Sequence, residues 1–219
     1  MILVTGSSGF IGSNFIKFLI EKNKSFHGID LKPSKYLKFK NFSKIDLSSP
    51  KKVNNFFKKN KPSSVVHLAA ISGVNICHQN QDLAFKNNIL ATYNILKASK
   101  KYNCQKVLIA SSFAVEKFSS NPNFYASTKK VCEDMIKVYA KSYGLNVAAV
   151  RFSNVYGPYS IHKSSSIHQM IKCLIKKKTF EIHGTGKQVR DFIYVDEIIN
   201  KLNNLITNIN DNGFFSNSK

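Results

Sequence analysis

Residues 2–12, Ile-Leu-Val-Thr-Gly-Ser-Ser-Gly-Phe-Ile-Gly, constrain this chain more than any other stretch. A short apolar run leads directly into a turn carrying Gly6, Gly9 and Gly12, and an amphipathic segment begins there. Glycines at this spacing have three separate physical uses. One permits a tight turn, one lets backbone N–H groups approach a ligand, and one allows close packing of a helix on a strand. The turn aims the free N–H groups of a helix N-terminus at an anion, here the pyrophosphate of a dinucleotide. Glycine turns also serve as plain connectors, so the context decides, and this one has the strand before it and the helix after it. Asp30 adds to the pattern by ending Phe26-His27-Gly28-Ile29-Asp30, 24 positions after Gly6. A carboxylate there accepts from both ribose hydroxyls and repels a 2′-phosphate, which favours NAD, while Lys32 leaves NADP open.

Short apolar stretches alternate with helix-period segments along the next 140 or so residues, the pattern of βαβ units. The strands expected are Ile2–Thr5, Phe26–Asp30, Lys44–Asp46, Ser64–Leu68, Lys106–Ser111 and Asn146–Arg151. Helices are expected over Ile11–Lys22, Lys51–Asn60, Leu83–Tyr102 and Tyr125–Tyr143. The fold class is α/β, a Rossmann-type doubly wound parallel sheet. After Arg151 the alternation becomes irregular, with one helix near Ile167–Lys177 and short strands. The chain therefore divides into a dinucleotide-binding domain, 1–155, and a smaller partial substrate lobe, 156–219, whose last ten residues form no closing element.

Composition matters chiefly for one alternative. A formal charge of +21 is a nucleic-acid signal. Yet only Arg151 and Arg190 among the 33 basic residues are arginine, and the lysines are spread along the whole chain. Nucleic-acid readers lean on arginine for bidentate contacts, so a solvated basic surface is the better explanation and no nucleic-acid partner is expected. No signal peptide precedes Ile2, and no apolar run is long enough to cross a membrane, which points to the cytoplasm. Cys77, Cys104, Cys132 and Cys173 lie far apart without histidine clusters, the spacing of reduced structural thiols, with no metal site. His27, His78, His168 and His183 read as surface or packed residues.

The glycine turn, written Thr5-Gly6-Ser7-Ser8-Gly9-Phe10-Ile11-Gly12, resembles that of the extended short-chain dehydrogenase/reductase family, the nucleotide-sugar epimerases and dehydratases. Further matches follow in order: Asp46-Leu47, His67-Leu68-Ala69-Ala70, Asn88-Ile89-Leu90-Ala91-Thr92-Tyr93-Asn94 with Ala91 in place of a usual glycine, Ser111-Ser112, Tyr125-Ala126-Ser127-Thr128-Lys129, Arg151 to Pro158, and Arg190 to Asp196. The resemblance spans almost the whole chain. It implies a resident NAD held by Gly6, Gly9, Phe10, Ile11, Gly12, Asp30, Asp46, Leu47, Leu68, Ala69, Ala70, Asn88, Tyr125, Lys129 and Phe152. By the same resemblance the substrate is a nucleotide sugar held by Ser112, Asn154, His162, Lys163 and Arg190. A homodimer built on the Leu83–Tyr102 and Tyr125–Tyr143 helices is also implied.

The expected catalytic residues are Ser112, Tyr125 and Lys129. Tyr125 and Lys129 are four apart and share one helix face. A phenol with an ordinary pKa near 10 is a poor base, and a fixed ammonium beside it favours the phenolate. Ser112 at a strand end aligns the same substrate hydroxyl. Family members that eliminate water typically carry acidic residues directly after the catalytic serine, where this chain has Phe113-Ala114. Simple C4 epimerisation of a UDP-hexose through a 4-keto sugar is therefore the expected chemistry, a step in polysaccharide synthesis. Two departures qualify it. Val115-Glu116-Lys117 replaces a V-Y-G triplet, and only 13 positions separate Ser112 from Tyr125, which shortens one pocket wall. Only 23 residues follow Asp196, so the substrate lobe is expected to be incomplete, with apolar surface left uncovered. One alternative is a non-catalytic or truncated NAD-binding module, and another is a nucleotide-sugar dehydratase or reductase of the same family.

Overall fold

The computed structural model describes residues 1–182, 184–208 and 214–216, the last three by their backbone. Seven parallel strands form one sheet in the order β3-β2-β1-β4-β5-β6-β9. They are β1 (Ile2–Thr5), β2 (Phe26–Asp30), β3 (Phe42–Lys44), β4 (Ser64–His67), β5 (Lys106–Ser112), β6 (Val147–Phe152) and β9 (Phe214–Ser216). A small second sheet pairs β7 (Asn154–Tyr156) with β8 (Phe192–Tyr194). The helices are α1 (Phe10–Glu21), α2 (Pro50–Asn60), α3 (Val74–Gln79), α4 (Gln81–Ala84), α5 (Ala91–Lys101), α6 (Phe124–Lys141), α7 (Ser166–Ile175) and α8 (Val195–Asn208).

Strand residues alternate between two cores. Leu3, Val65, Ile109 and Ala149 face α2, α5 and α6, while their neighbours Val4, Val66, Leu108 and Ala148 face α1 and α8. Both faces of the sheet are covered, so its strands read as continuous apolar runs. The order reverses between β1 and β4, and the crevice at their carboxyl ends is where an open α/β sheet binds its ligand.

Four expectations change. The third strand is Phe42–Lys44, not Lys44–Asp46. Asp46 instead accepts hydrogen bonds from the Ser48 N–H and hydroxyl, a local turn that ends the strand before it. The expected helix Leu83–Tyr102 is interrupted by a π segment, Phe85–Leu90. There the Asn88 carbonyl accepts from the Thr92 hydroxyl at 2.6 Å and the Cys132 thiol at 3.3 Å, side-chain bonds that compete with the regular ladder. The end of the chain does supply a closing element, β9, paired with Ala149–Arg151 of β6. Finally, the chain returns across the expected boundary at 155. Ile193, Val195, Ile198, Ile199, Leu202 and Ile206 belong to the same core as Phe15 and Ile16 of α1. Residues 209–213 and 217–219, within the stretch expected to lack a closing element, lie outside the described residues, as does His183.

Candidate active site

The three glycines divide the three uses among them. Gly6 has φ +66°, and a Cβ there would stand 2.6 Å from the Ala69 nitrogen. At Gly12 a Cβ would stand 2.0 Å from the Gly6 carbonyl oxygen, so this glycine lets α1 close on the turn. Gly9 has ordinary extended geometry, φ −76° and ψ −179°, and its nearest obstacle is 3.3 Å away. Of the three glycines it leaves a Cβ the most room. Helix α1 begins at Phe10 without a side-chain cap and without an acidic residue in its first turn. The first turn of α1, with the N–H groups of Phe10, Ile11 and Gly12, is thus suited to receive an anion, with the helix dipole behind it. The Phe10 ring is buried edge-on against His168, so only the backbone of this residue is left to meet a ligand.

Asp30 closes the other side of the turn. Its Oδ2 accepts from the Ser8 N–H at 3.0 Å and its Oδ1 from the Leu31 N–H at 2.7 Å. Each carboxylate oxygen keeps a second lone pair for a hydroxyl donor, which fits a ribose. Four expected cofactor residues have side chains directed elsewhere. Leu47 and Phe152 are buried in the two cores. Asn88 is fully buried, with Oδ1 accepting from the Ile71 N–H and Nδ2 donating to the Ile71 carbonyl and the Thr128 hydroxyl. It pins Ile71, the residue that follows the segment Leu68–Ala70. Asp46 is exposed and turned towards Ser48.

Ser112, Tyr125 and Lys129 come together as the spacing implies. Asn123 caps α6 by accepting from the Ala126 N–H at 2.9 Å, which sets Tyr125 and Lys129 on one face of the helix. Ser112 acts on the Tyr125 phenol from the end of β5, and Lys129 Nζ donates to the Ala110 carbonyl at 2.8 Å. Burial pushes the Tyr125 phenol up, with the Ser112 hydrogen bond pulling the other way. The lowering expected from Lys129 does not appear. Its ammonium is held on the Ala110 carbonyl, and burial lowers its own pKa against the pull of Cys132, Cys77 and Glu133.

Sequence reasoning missed the cluster beneath this group. Arg151 grips buried Glu133 of α6 through Nε at 2.8 Å and Nη2 at 2.6 Å, and its Nη1 reaches Glu116 at 3.1 Å. Ser111 donates to the same Glu133 at 2.6 Å. The guanidinium is thus a brace for β5, β6 and the loop after Ser112. Only a signal of tertiary proximity between Glu133 and Arg151 would have shown this.

The residues expected to hold substrate divide into three places. Asn154 donates to the Asp191 carbonyl at 3.0 Å where β7 meets β8. His162 and Lys163 lie on the loop after β7, which also stacks Tyr159 on Tyr36 with ring centroids 5.0 Å apart. Lys163 Nζ donates to Ser72 at 2.7 Å, and burial lowers its pKa. Burial, then Lys163, Lys35 and Lys172, lower that of His162. Arg190 is exposed and donates to the neighbouring Val189 carbonyl at 3.2 Å. Ile161, Leu174, Ile175, Ile182 and Val189 of this lobe are strongly exposed, in line with the uncovered apolar surface expected there. A shallow cavity of about 300 Å³ between α2 and α5 contains none of the expected site residues. Among the described residues no His/Cys/Asp/Glu cluster could hold a metal, the cysteines are free, and no helix is long and apolar enough to cross a membrane.

Comparison with known proteins agrees with this geometry. The model of a family described as the NAD dependent epimerase/dehydratase family matches residues 2–213. A UDP-glucuronate 4-epimerase of Thermodesulfobacterium geofontis is 32% identical, the match covering 90% of this chain and 68% of that protein. A dTDP-D-glucose 4,6-dehydratase of Dictyostelium discoideum is 31% identical, covering 90% of this chain and 53% of the relative. Among solved structures, the UDP-glucose 4-epimerase of Thermotoga maritima with UDP-glucose superimposes with a TM-score of 0.89 at 26% identity, over 98% of this chain and 75% of that one. A UDP-N-acetylglucosamine 4-epimerase of Methanobrevibacter ruminantium in complex with UDP-N-acetylmuramic acid gives 0.85 at 30% identity, over the same shares of both chains.

Proposed function

The chain belongs to the NAD dependent epimerase/dehydratase family, and from that premise we propose that it carries the machinery of a nucleotide-sugar 4-epimerase, with NAD resident in the glycine-turn crevice and a UDP-hexose as substrate. The observation that carries this reading is the placement of Ser112 at the end of β5 with Tyr125 and buried Lys129 on α6, where Lys129 Nζ donates to the Ala110 carbonyl. Glu116, the carboxylate nearest in sequence after Ser112, is engaged by Arg151, which leaves elimination of water without an acid–base partner at that place.

Bound NAD would supply a hydride acceptor at C4 of the sugar and a donor for the return to its other face. The protein's own residues do the rest. Gly9 and the first turn of α1 bind the pyrophosphate, and Asp30 accepts from the ribose. Tyr125 Oη takes the proton of the C4 hydroxyl and gives it back, while Ser112 holds that hydroxyl in line. Lys129 fixes the position of the helix face through the Ala110 carbonyl. Asn154, His162, Lys163 and Arg190 are proposed to meet the sugar nucleotide. A homodimer is supported by exposed Leu83, Phe85, Tyr93, Val131 and Val138 on the segments expected to mediate it, and sedimentation as a monomer would count against it.

A second reading, dinucleotide binding without turnover, is favoured by the exposed apolar lobe around Leu174, Ile175 and Val189. The two are separated by releasing bound nucleotide from denatured protein and then offering UDP-glucose and UDP-N-acetylglucosamine to the native chain. NAD with C4 inversion supports the epimerase, NAD without inversion supports the second reading, and failure to take up NAD overturns both.

The glycines give a paired test. Gly12→Ala is expected to destabilise the fold by about 3 kcal/mol, because its Cβ would overlap backbone that has nowhere to move. Gly9→Ala, whose Cβ would stand 3.3 Å from the Gly6 carbonyl oxygen, is expected to cost clearly less stability than Gly12→Ala and to weaken NAD binding markedly. Equal loss of stability in the two variants, read by thermal melts, would contradict this assignment.

A further inference from the structure

His67 ends β4 beside Thr5 of β1 in register, and is almost completely buried. Its two nitrogens have different partners: Nδ1 lies 2.6 Å from the Thr5 hydroxyl and Nε2 3.1 Å from the Thr92 hydroxyl. The direction of each bond follows from what the hydroxyls do next. Thr5 Oγ1 accepts from the Ala69 N–H at 3.3 Å, which leaves its proton for His67 Nδ1. Thr92 donates its proton to the Asn88 carbonyl at 2.6 Å, so it accepts from His67 Nε2. The imidazole is therefore the neutral Nε2–H tautomer. Burial, with Lys129 adding to it, lowers its pKa to about 3, so it stays neutral at ordinary pH.

The chain of bonds continues past Asn88. The Asn88 side chain holds both backbone groups of Ile71 and donates to Thr128, whose hydroxyl donates to the Tyr125 carbonyl at 2.8 Å. Ala69 and Ile71 are thus tied at both ends of the segment that crosses the glycine turn. The same bonds end on the backbone of the residue expected to move the proton.

We infer that two directional sets of hydrogen bonds, Thr5–His67–Thr92 ending on the Asn88 carbonyl and Asn88 side chain–Thr128 ending on the Tyr125 carbonyl, are joined through Asn88 and seat the Ala69–Ile71 segment against the Tyr125 helix, with His67 as the positioning residue. The cofactor arm of this inference rests on the proposed NAD site; the geometric arm does not. His67 touches no reacting atom. Its contribution is a fixed tautomer that accepts on one side and donates on the other, which an apolar side chain of similar size does not provide.

Three measurements on the full chain test it. Nitrogen-15 NMR of labelled histidine is expected to give His67 as Nε2–H, unchanged between pH 5 and 8; an Nδ1–H tautomer or a titration in that range overturns the chain. Thr92→Val keeps the side-chain volume and removes the acceptor. It is expected to raise hydrogen exchange at the Ala69 and Ile71 amides about 10-fold while amides in the middle of β5 stay protected. Unchanged exchange at both amides, or an equal rise throughout the sheet, overturns it. His67→Gln, which also accepts and donates, is expected to bind NAD within about 3-fold of the parent, and His67→Leu about 10-fold more weakly. Equal losses in these two overturn the assignment of His67. If the parent chain binds no NAD, the proposed function fails, and the tautomer and exchange results still decide the chain of bonds.

Discussion

Tyr125→Phe is expected to lower C4 turnover by about 10²–10⁴-fold, the range for removing a positioned proton-transfer group. NAD binding is expected to stay within a few-fold, because the phenol oxygen acts on the sugar hydroxyl and the ring remains. The pH profile sharpens the test. Burial raises the Tyr125 pKa and the Ser112 hydrogen bond lowers it. Phenolate is the basic form, so the rate is expected to climb with pH along that limb. Ser112→Ala removes the lowering contribution and moves the limb to higher pH, with a smaller rate at neutrality. A Tyr125→Phe variant as active as its parent, or a limb that does not move in Ser112→Ala, would remove the tyrosine from the chemistry.

Arg151→Met has the largest expected effect on stability. It leaves Glu133, 2% exposed, with the Ser111 hydroxyl and no guanidinium. Breaking a buried ion pair from one side costs about 3–5 kcal/mol. The sign with pH follows from linkage. An unpaired buried carboxylate has its folded-state pKa raised above its unfolded value of about 4.3. The variant is therefore most stable in acid and loses stability as pH rises through that window. Adding Glu133→Leu is expected to recover most of the loss, since the charge is then gone as well. Thermal melts of the parent, single and double variants at pH 5 and 8 give the comparison. An Arg151→Met protein equally stable at both, within 1 kcal/mol of the parent, would mean the pair is not the brace described.

These two predictions differ in how they became legible. Tyr125 and Lys129 could be paired from spacing alone, because residues four apart on a helix share a face whatever the rest of the chain does. Gly6, Gly9 and Gly12 could likewise be recognised within one strand–turn–helix unit. The partner of Arg151 could not. Asp191 and Asp196 are closer to the other arginine in sequence, yet the sheet places α6 against β6 and brings in Glu133. The helix from Leu83 was visible in its apolar period, and its π segment was not, because a thiol from α6 and a local hydroxyl converge on one carbonyl.

What the sequence by itself determined is the short-range chemistry: an uncapped helix N-terminus after a glycine turn, a carboxylate at the end of the second strand, and a phenol and an ammonium on one helical face. Steric limits at glycine and helical periodicity act over a few residues, so they survive without knowledge of the fold. Tertiary structure decided which buried polar groups meet. It turned Asn88 from an expected cofactor contact into a support for Ile71, set His67 between two threonines, and moved Lys129 onto the Ala110 carbonyl. A buried donor or acceptor must find a partner, and the partner is whichever group the strand order delivers from far along the chain.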